Sequence, residues 1–430
     1  VIGAKLTAKE AAGIVELAMR DIFSTVGALL ISAAILLAGG GLLGTLVSVR
    51  AQIEGFPLPV IGLLMSFYYI GFAAGCFATP FVVARVGHIR SFAAFAALTA
   101  AAALCYVLAL NIPSWLLLRL LTGFCFAALY MIIESWINEK STNENRGQVL
   151  SIYRAVDLVA ITIGQFMLTW ADPAGFVLFS TVALCICVSI VPVSVTAASA
   201  PEPLTKTSLN LKKLIKVSPL AVFGCLSVGL ANGAFWGISP IFVQQLGYGV
   251  FMVALFISAA IIAGAIAQIP IGWLSDRVDR RWVLIMVVGA SAASGIFLCL
   301  FGAISQAFLI VGGCLYGMFG MSIFGLSAAH ANDYAEPDEF VAISGGLLLI
   351  YGLGAIIGPV LAPIVMQLTS PSYMFAYTAA IHGALLVFGL YRLTRRESVP
   401  LAEQEDYIPA RPRTTPVIFE LDPRGNVEDE

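Results

Sequence analysis

The sequence predicts an all-α integral membrane protein with twelve transmembrane helices in two pseudo-symmetric six-helix bundles. Three observations carry that prediction. Of 430 residues, 60% are hydrophobic and only 11% are charged, and mean hydropathy is +0.94; an average soluble domain has roughly 25% charged residues. Apolar runs of about 20 residues follow one another with short polar breaks, where a soluble chain would show amphipathic periodicity. The chain also nearly repeats itself. VVARVGHIR at Val82 to Arg90 and LSDRVDRR at Leu274 to Arg281 each close an apolar run with a basic turn, and Arg85 and Arg277 lie 192 residues apart, close to half the length.

The elements follow in order. Residues 1–23 carry Lys5, Lys9, Glu10, Glu16, Arg20 and Asp21 ahead of the first apolar run, and Thr7 with Glu10 forms a T-x-x-E capping box that opens a weakly amphipathic stretch. This segment is expected as a short cytoplasmic surface helix or as a disordered leader, and it is too polar-flanked for a cleaved signal peptide. The N-terminal bundle, 24–196, holds predicted spans 24–49, 58–84, 89–111, 113–139, 148–170 and 173–195. A linker at 197–217 carries PEP at Pro201 to Pro203 and then a basic stretch, which puts its lysines near anionic headgroups. The C-terminal bundle, 218–393, holds spans 218–245, 250–276, 281–303, 305–331, 341–367 and 371–393. The tail, 394–430, is polar and contains proline, the composition of a disordered segment.

Basic residues orient the chain, because cytoplasmic loops retain Lys and Arg. Arg85, Arg90, Lys140, Arg146, Lys206, Lys212, Lys213, Lys216, Arg277, Arg280 and Arg281 fall in even-numbered loops, against Arg50 alone in an odd-numbered one. Both termini are therefore expected in the cytoplasm. The net charge of −2 holds no basic tract, so nucleic-acid binding is not indicated. The eight cysteines lie within predicted spans without disulfide or metal spacing, and no two histidines share a local motif. No cofactor is indicated, and neither a nucleophile–base arrangement nor a phosphate loop of an enzyme can be read.

GWLSDRVDRR at Gly272 to Arg281 resembles the signature G-x-x-x-D-R-x-G-R-R of the major facilitator superfamily, found after the second helix of each half. It keeps Gly272, Asp276, Arg277, Arg280 and Arg281, with Asp279 where glycine is usual. The first-half copy, PFVVARVGHIR, keeps Arg85, Gly87 and Arg90 but has Pro80 and Ala84 at the glycine and aspartate positions, and His88 at a customary arginine. The resemblance implies a cytoplasmic gate in which the aspartate latches the halves by facing a helix N-terminus. Asp276 is accordingly expected near Arg146 and Gly147. Ala84 cannot do the same, so Arg85 is expected to reach Pro337, Asp338 and Glu339 instead, making an asymmetric latch.

RLLTG at Arg119 to Gly123 resembles the superfamily's R-x-x-x-G pattern in helix 4, and Arg119, Phe126, Tyr130 and Glu134 share one stripe of that helix. Two readings remain for such charges: a central cavity, or for Glu134 a gate ion pair with Arg85 or Arg154. Arg154 and Asp157 lie three apart on helix 5, with Gln165 two turns deeper. In a low-dielectric bundle a carboxylate can exchange its proton as a guanidinium approaches or leaves, so the pair suits proton coupling, or equally a static ion pair. The second half offers neutral groups suited to a substrate wall: Asn232 and Trp236, then Gln268, Tyr316 and Tyr351. His330, roughly the repeat equivalent of Glu134, is read as a gate contact.

ESWIN at Glu134 to Asn138 and NRG at Asn145 to Gly147 look like a bacterial branch of transporters in this superfamily. The resemblance implies alternating access about a midplane cavity, in the bacterial inner (plasma) membrane, by a monomer whose partners are a small-molecule substrate, protons and the lipid bilayer. The leading expectation is proton-coupled movement of a small organic solute, with efflux slightly ahead of uptake. The alternative is a transport-silent membrane sensor or assembly factor on the same fold.

Overall fold

The computed structural model describes residues 8–142, 145–195, 211–336, 339–409, 412 and 414–421, apart from the side chains of 8–25, 211, 420 and 421. Among the described residues, twelve helices are long and apolar enough to cross a membrane, and there is no strand. The first bundle is α1 (Ala8–Ile53), α2 (Leu58–Val86), α3 (His88–Leu108), α4 (Ile112–Lys140), α5 (Arg146–Met167) and α6 (Val177–Val195). A short α7 (Leu211–Val217) follows. The second bundle is α8 (Pro219–Gln245), α9 (Val250–Ser275), α10 (Arg280–Phe301), α11 (Gln306–Gly320) with α12 (Ile323–Asn332), α13 (Phe340–Leu368) and α14 (Tyr373–Leu393).

The repeat seen in the sequence governs packing. In the first bundle α1 packs on α5 and α6, α2 on α4, and α3 on α4 and α6; in the second α8 packs on α13 and α14, α9 on α11, and α10 on α11 and α14. These are the same pairings, shifted by six spans. Bulky apolar side chains such as Phe77, Leu184 and Ile269 face outward, as lipid-facing groups do. Exposed Trp273 and Trp282 lie at the end carrying the basic loops and Trp170 at the opposite end, where amphipathic rings mark the headgroup level.

The bundles meet at the end away from the basic loops. There α2 contacts α13, Ser66 Oγ donating to the Ile356 carbonyl at 2.6 Å. Gly62 is bare because a Cβ would collide with the Pro359 backbone. The α5–α9 contact, equivalent by repeat, places Phe166 against Phe251 with ring centroids 6.4 Å apart.

Three features differ from the sequence reading. No proline interrupts Ala8–Ile53, so the expected surface helix runs unbroken into the first span; Thr7 of the capping box is outside the described residues. The tenth span breaks at Met321–Ser322 into α11 and α12, where Ser322 Oγ donates to the Met318 carbonyl at 2.8 Å and competes with the helix ladder. The tail, read as disordered, is structured in part among the described residues: two 3₁₀ turns, Leu401–Glu403 and Pro416–Leu421, form, and Thr414, Thr415, Val417, Ile418 and Phe419 are buried. The bundles supply the apolar surface that the tail's own composition lacks. Residues 422–430 and linker residues 196–210 are outside the described set.

Candidate functional site

Between the bundles lies a cavity of ≈ 520 Å³, counting its open mouth. Asp157 and Ile161 of α5 line it from the first bundle; Asn232 and Trp236 of α8, Ile261, Ala265 and Gln268 of α9, and Met321 at the break line it from the second. Pro412 of the tail closes in from the mouth. Spacings of four on α5 and α8, and of four and three on α9, put each set on one helical face. One carboxyl, two carboxamides and an indole among aliphatic groups suit a solute with an apolar body and few polar contacts.

Four sequence candidates thus converge: Asp157, Asn232, Trp236 and Gln268. Tyr316 stands behind them, fully buried and stacked on Phe235 (5.1 Å, 22°), its hydroxyl donating to Asn232 Oδ1 at 3.3 Å. It orients the amide and does not line the cavity. Tyr351 is also buried behind the wall, edge-on to Phe324 at 5.8 Å.

The first-bundle charges go elsewhere. Arg119 turns to α2, donating to the Leu64 carbonyl (3.4 Å) and Met65 Sδ (3.2 Å), with its guanidinium 4.8 Å from the centre of the Tyr68 ring. Gln165 bridges to α1, accepting from Thr45 Oγ1 at 2.6 Å and donating to the Gly41 carbonyl at 3.1 Å. Arg154 is half-buried and does not line the cavity. Glu134 makes no ion pair with Arg85 or Arg154. It is 1% exposed and accepts from Tyr153 Oη (3.3 Å), Thr414 Oγ1 (2.5 Å), Thr415 N (3.1 Å) and Thr415 Oγ1 (2.5 Å). Sequence reasoning missed the threonines, although a TTP step before the apolar run VIF was a visible sign of a docking segment. It also missed Met321, whose signal was Gly317 and Gly320 just ahead of it.

The Major Facilitator Superfamily profile matches residues 29–269 and 252–422, which together take in most of the chain. The chain belongs to that superfamily. It is similar to the "Uncharacterized MFS-type transporter YcaD" of Escherichia fergusonii, 25% identical over 362 residues, 84% of this chain and 93% of that one. The protein of the same name in Salmonella heidelberg is 25% identical over 341 residues, 79% and 88% of the two chains. Among solved structures, the nucleoside transporter NupG superposes with TM-score 0.70 at 14% identity, covering 85% of this chain and 98% of that one. A bacterial homolog of the human lysosomal transporter Spinster, in an inward-facing and occupied conformation, gives 0.72 at 13% identity, covering 90% and 98%. The molecule is a multi-pass membrane transporter of the superfamily fold, a family whose members carry small molecules.

The superfamily's signature loop is wired differently from the expectation. Asp276 lies beside the tail and not helix α5: its Oδ1 accepts from Arg280 Nη2 (3.0 Å) and from Tyr407 N (2.9 Å). Arg280, 1% exposed, also reaches Ser275 Oγ (2.8 Å) and Asp333 Oδ1 (2.5 Å). Arg277 is exposed and lies over the Trp273 ring at 4.1 Å. Asp279 caps α10, accepting from Arg281 N at 3.0 Å and pairing with its guanidinium at 2.6 Å. Burial pushes the Asp279 carboxyl up, but the Arg281 hydrogen bonds outweigh it and hold the group below the ordinary aspartate range. In the first copy Arg85 and Arg90 are exposed and Gly87 makes the turn. Glu339 pairs with Lys213, so Arg85 does not take it; Pro337 and Asp338 are outside the described residues. His330 is buried edge-on to Tyr334, ring centroids 5.2 Å apart.

Proposed function

We propose that this transporter moves a small, amphipathic organic solute by alternating access, coupled to protons, with efflux slightly favoured over uptake and the monomer as the working unit. The carrying observation is that Asp157 is the one titratable side chain among the described residues lining the cavity, and it faces Trp236, Asn232 and Gln268 across the bundle interface. A carboxyl there can bind a proton or the solute, exchanging one for the other as the bundles rock. The bundles touch at one end and part at the other, a geometry suited to a site opened to one side at a time. In this reading the parted end faces the cytoplasm and the membrane is the bacterial inner membrane, with both termini on the cytoplasmic side; the Lys and Arg of the loops at that end support the sidedness.

The test is proteoliposome transport with a pH-sensitive dye inside, using solutes chosen by thermal shift, since binding stabilises the form that binds. Wild-type protein is expected to move protons with solute. Asp157→Asn is expected to bind solute, yet move protons at least about tenfold more slowly; unchanged proton movement removes Asp157 from coupling. Arg119, whose charge is absorbed by α2, favours a second reading as a transport-silent sensor or assembly factor. Solutes that shift the melting temperature but never cross the vesicle membrane would establish it.

A further inference from the structure

We infer that the parted mouth of the cavity is a binding site for an extended peptide, and that the tail of this chain, through its described residues 405–409, 412 and 414–419, is the resident ligand. This goes beyond the transport reading. The segment starts on the second bundle, where the Glu405 carbonyl accepts from Arg280 Nη2 (2.5 Å) and its N–H donates to Asp333 Oδ1 (3.1 Å). Two residues on, the Tyr407 N–H donates to Asp276 and its ring lies over Gly272. These contacts use backbone groups and a ring, and every receiving residue but Asp333 belongs to the signature loop. The chain then enters the cavity at Pro412 and ends on the first bundle, where Thr414 and Thr415 supply three of the four hydrogen bonds to Glu134. The final 3₁₀ turn packs against α4, α5 and α13 with Val417, Ile418 and Phe419 buried.

The strap therefore crosses from one bundle to the other. Helices α4 and α13 cannot close on each other while it lies between them, so it holds this mouth apart and fills the way in. Glu134 explains why a peptide with paired hydroxyls is the fitting ligand: a buried carboxylate needs donors, and without the tail Tyr153 alone of its four donors remains. A carboxylate accepting several short hydrogen bonds is a strong anchor.

A fluorescein-labelled peptide of residues 405–421 tests this by polarization in detergent, with no solute required, so the result stands apart from the outcome of the transport assay. A chain ending at Gln404 is expected to bind the peptide saturably, the full chain at least about tenfold more weakly because its own tail holds the site. Glu134→Gln in the shortened chain is expected to weaken binding about tenfold or more. Should the shortened chain not fold, full-length Thr414→Val/Thr415→Val takes its place and is expected to admit the peptide more readily than wild type. Equal binding to the wild-type full chain and the tail-weakened chain, or binding to neither, overturns the inference, as does binding indifferent to Glu134→Gln.

Discussion

His88 and Arg280 open α3 and α10, 192 residues apart, and both are buried against the helix that follows in their own bundle. His88 meets Ser135 Oγ at 3.4 Å and the Trp136 ring at 5.6 Å on α4. Arg280 meets the Ala329 carbonyl at 3.2 Å and Asp333 at 2.5 Å around the end of α12. The two turns thus dock the same way, yet only the second brings a fixed charge inside. The surroundings follow: Ala84 and Pro80 stand where Asp276 and Gly272 clamp the tail, and Arg85 and Arg90 are left at the surface. The two copies share the packing site of the loop, and only the second also holds the tail.

The largest effect expected from that asymmetry is at Arg280. Arg280→Ala takes the guanidinium from a buried carboxylate, Asp333, whose side chain is 2% exposed. Breaking such a pair costs about 3–5 kcal/mol. His88→Ala removes one long hydrogen bond and a ring contact and is expected to cost about 1–2 kcal/mol. Detergent melting curves of the two variants check this. Equal losses would mean that the two copies are energetically alike and that the charge network is ornamental.

How much of this was legible in the chain depends on the kind of signal. Twelve apolar runs specify twelve spans because lipid requires about 20 apolar residues per crossing, and the predicted 250–276 lies within one residue of Val250–Ser275. A one-turn break leaves hydropathy unchanged, so the break at Met321 shows only in Gly317 and Gly320 ahead of it and not in the apolar pattern. Within the site, periodicity shows that Asp157, Asn232, Trp236 and Gln268 occupy polar faces, but not which neighbour each face meets. Arg119 and Gln165 carry the same kind of signal and turn instead to the Leu64 carbonyl and Thr45, partners that only packing supplies. The tail hid for a related reason: its polar composition describes a segment without a core, and the apolar surface covering Val417 to Phe419 belongs to the two bundles.

The turns themselves sharpen the comparison at smaller scale. Gly87 sits at φ 85°, ψ 164°, a region that side chains avoid, whereas Asp279 at φ −52° is an ordinary cap. Gly87→Ala is therefore expected to cost about 1–3 kcal/mol. Asp279→Gly is expected to cost about 1 kcal/mol or less, since glycine is a tolerable cap and the ion pair is partly exposed. If melting temperatures rank the two variants the other way, the turns are not what distinguishes the copies.

The smallest effect is in pH. Asp279 is held below its ordinary value of 3.8 by Arg281, so its contribution is complete above that value and is lost as pH falls through the lower, folded-state value. Asp279→Asn never carries the charge. The melting-temperature difference between wild type and Asp279→Asn is expected to be constant from neutral pH down to about pH 5 and to shrink toward zero below the ordinary aspartate range. The first copy has no acid in its turn, so the matching comparison of Gly87→Asn with wild type is expected to show no such convergence from this site. A difference that persists unchanged at pH 3 would mean that Asn fails for its shape as a cap, and that the Asp279 charge contributes nothing to the second loop.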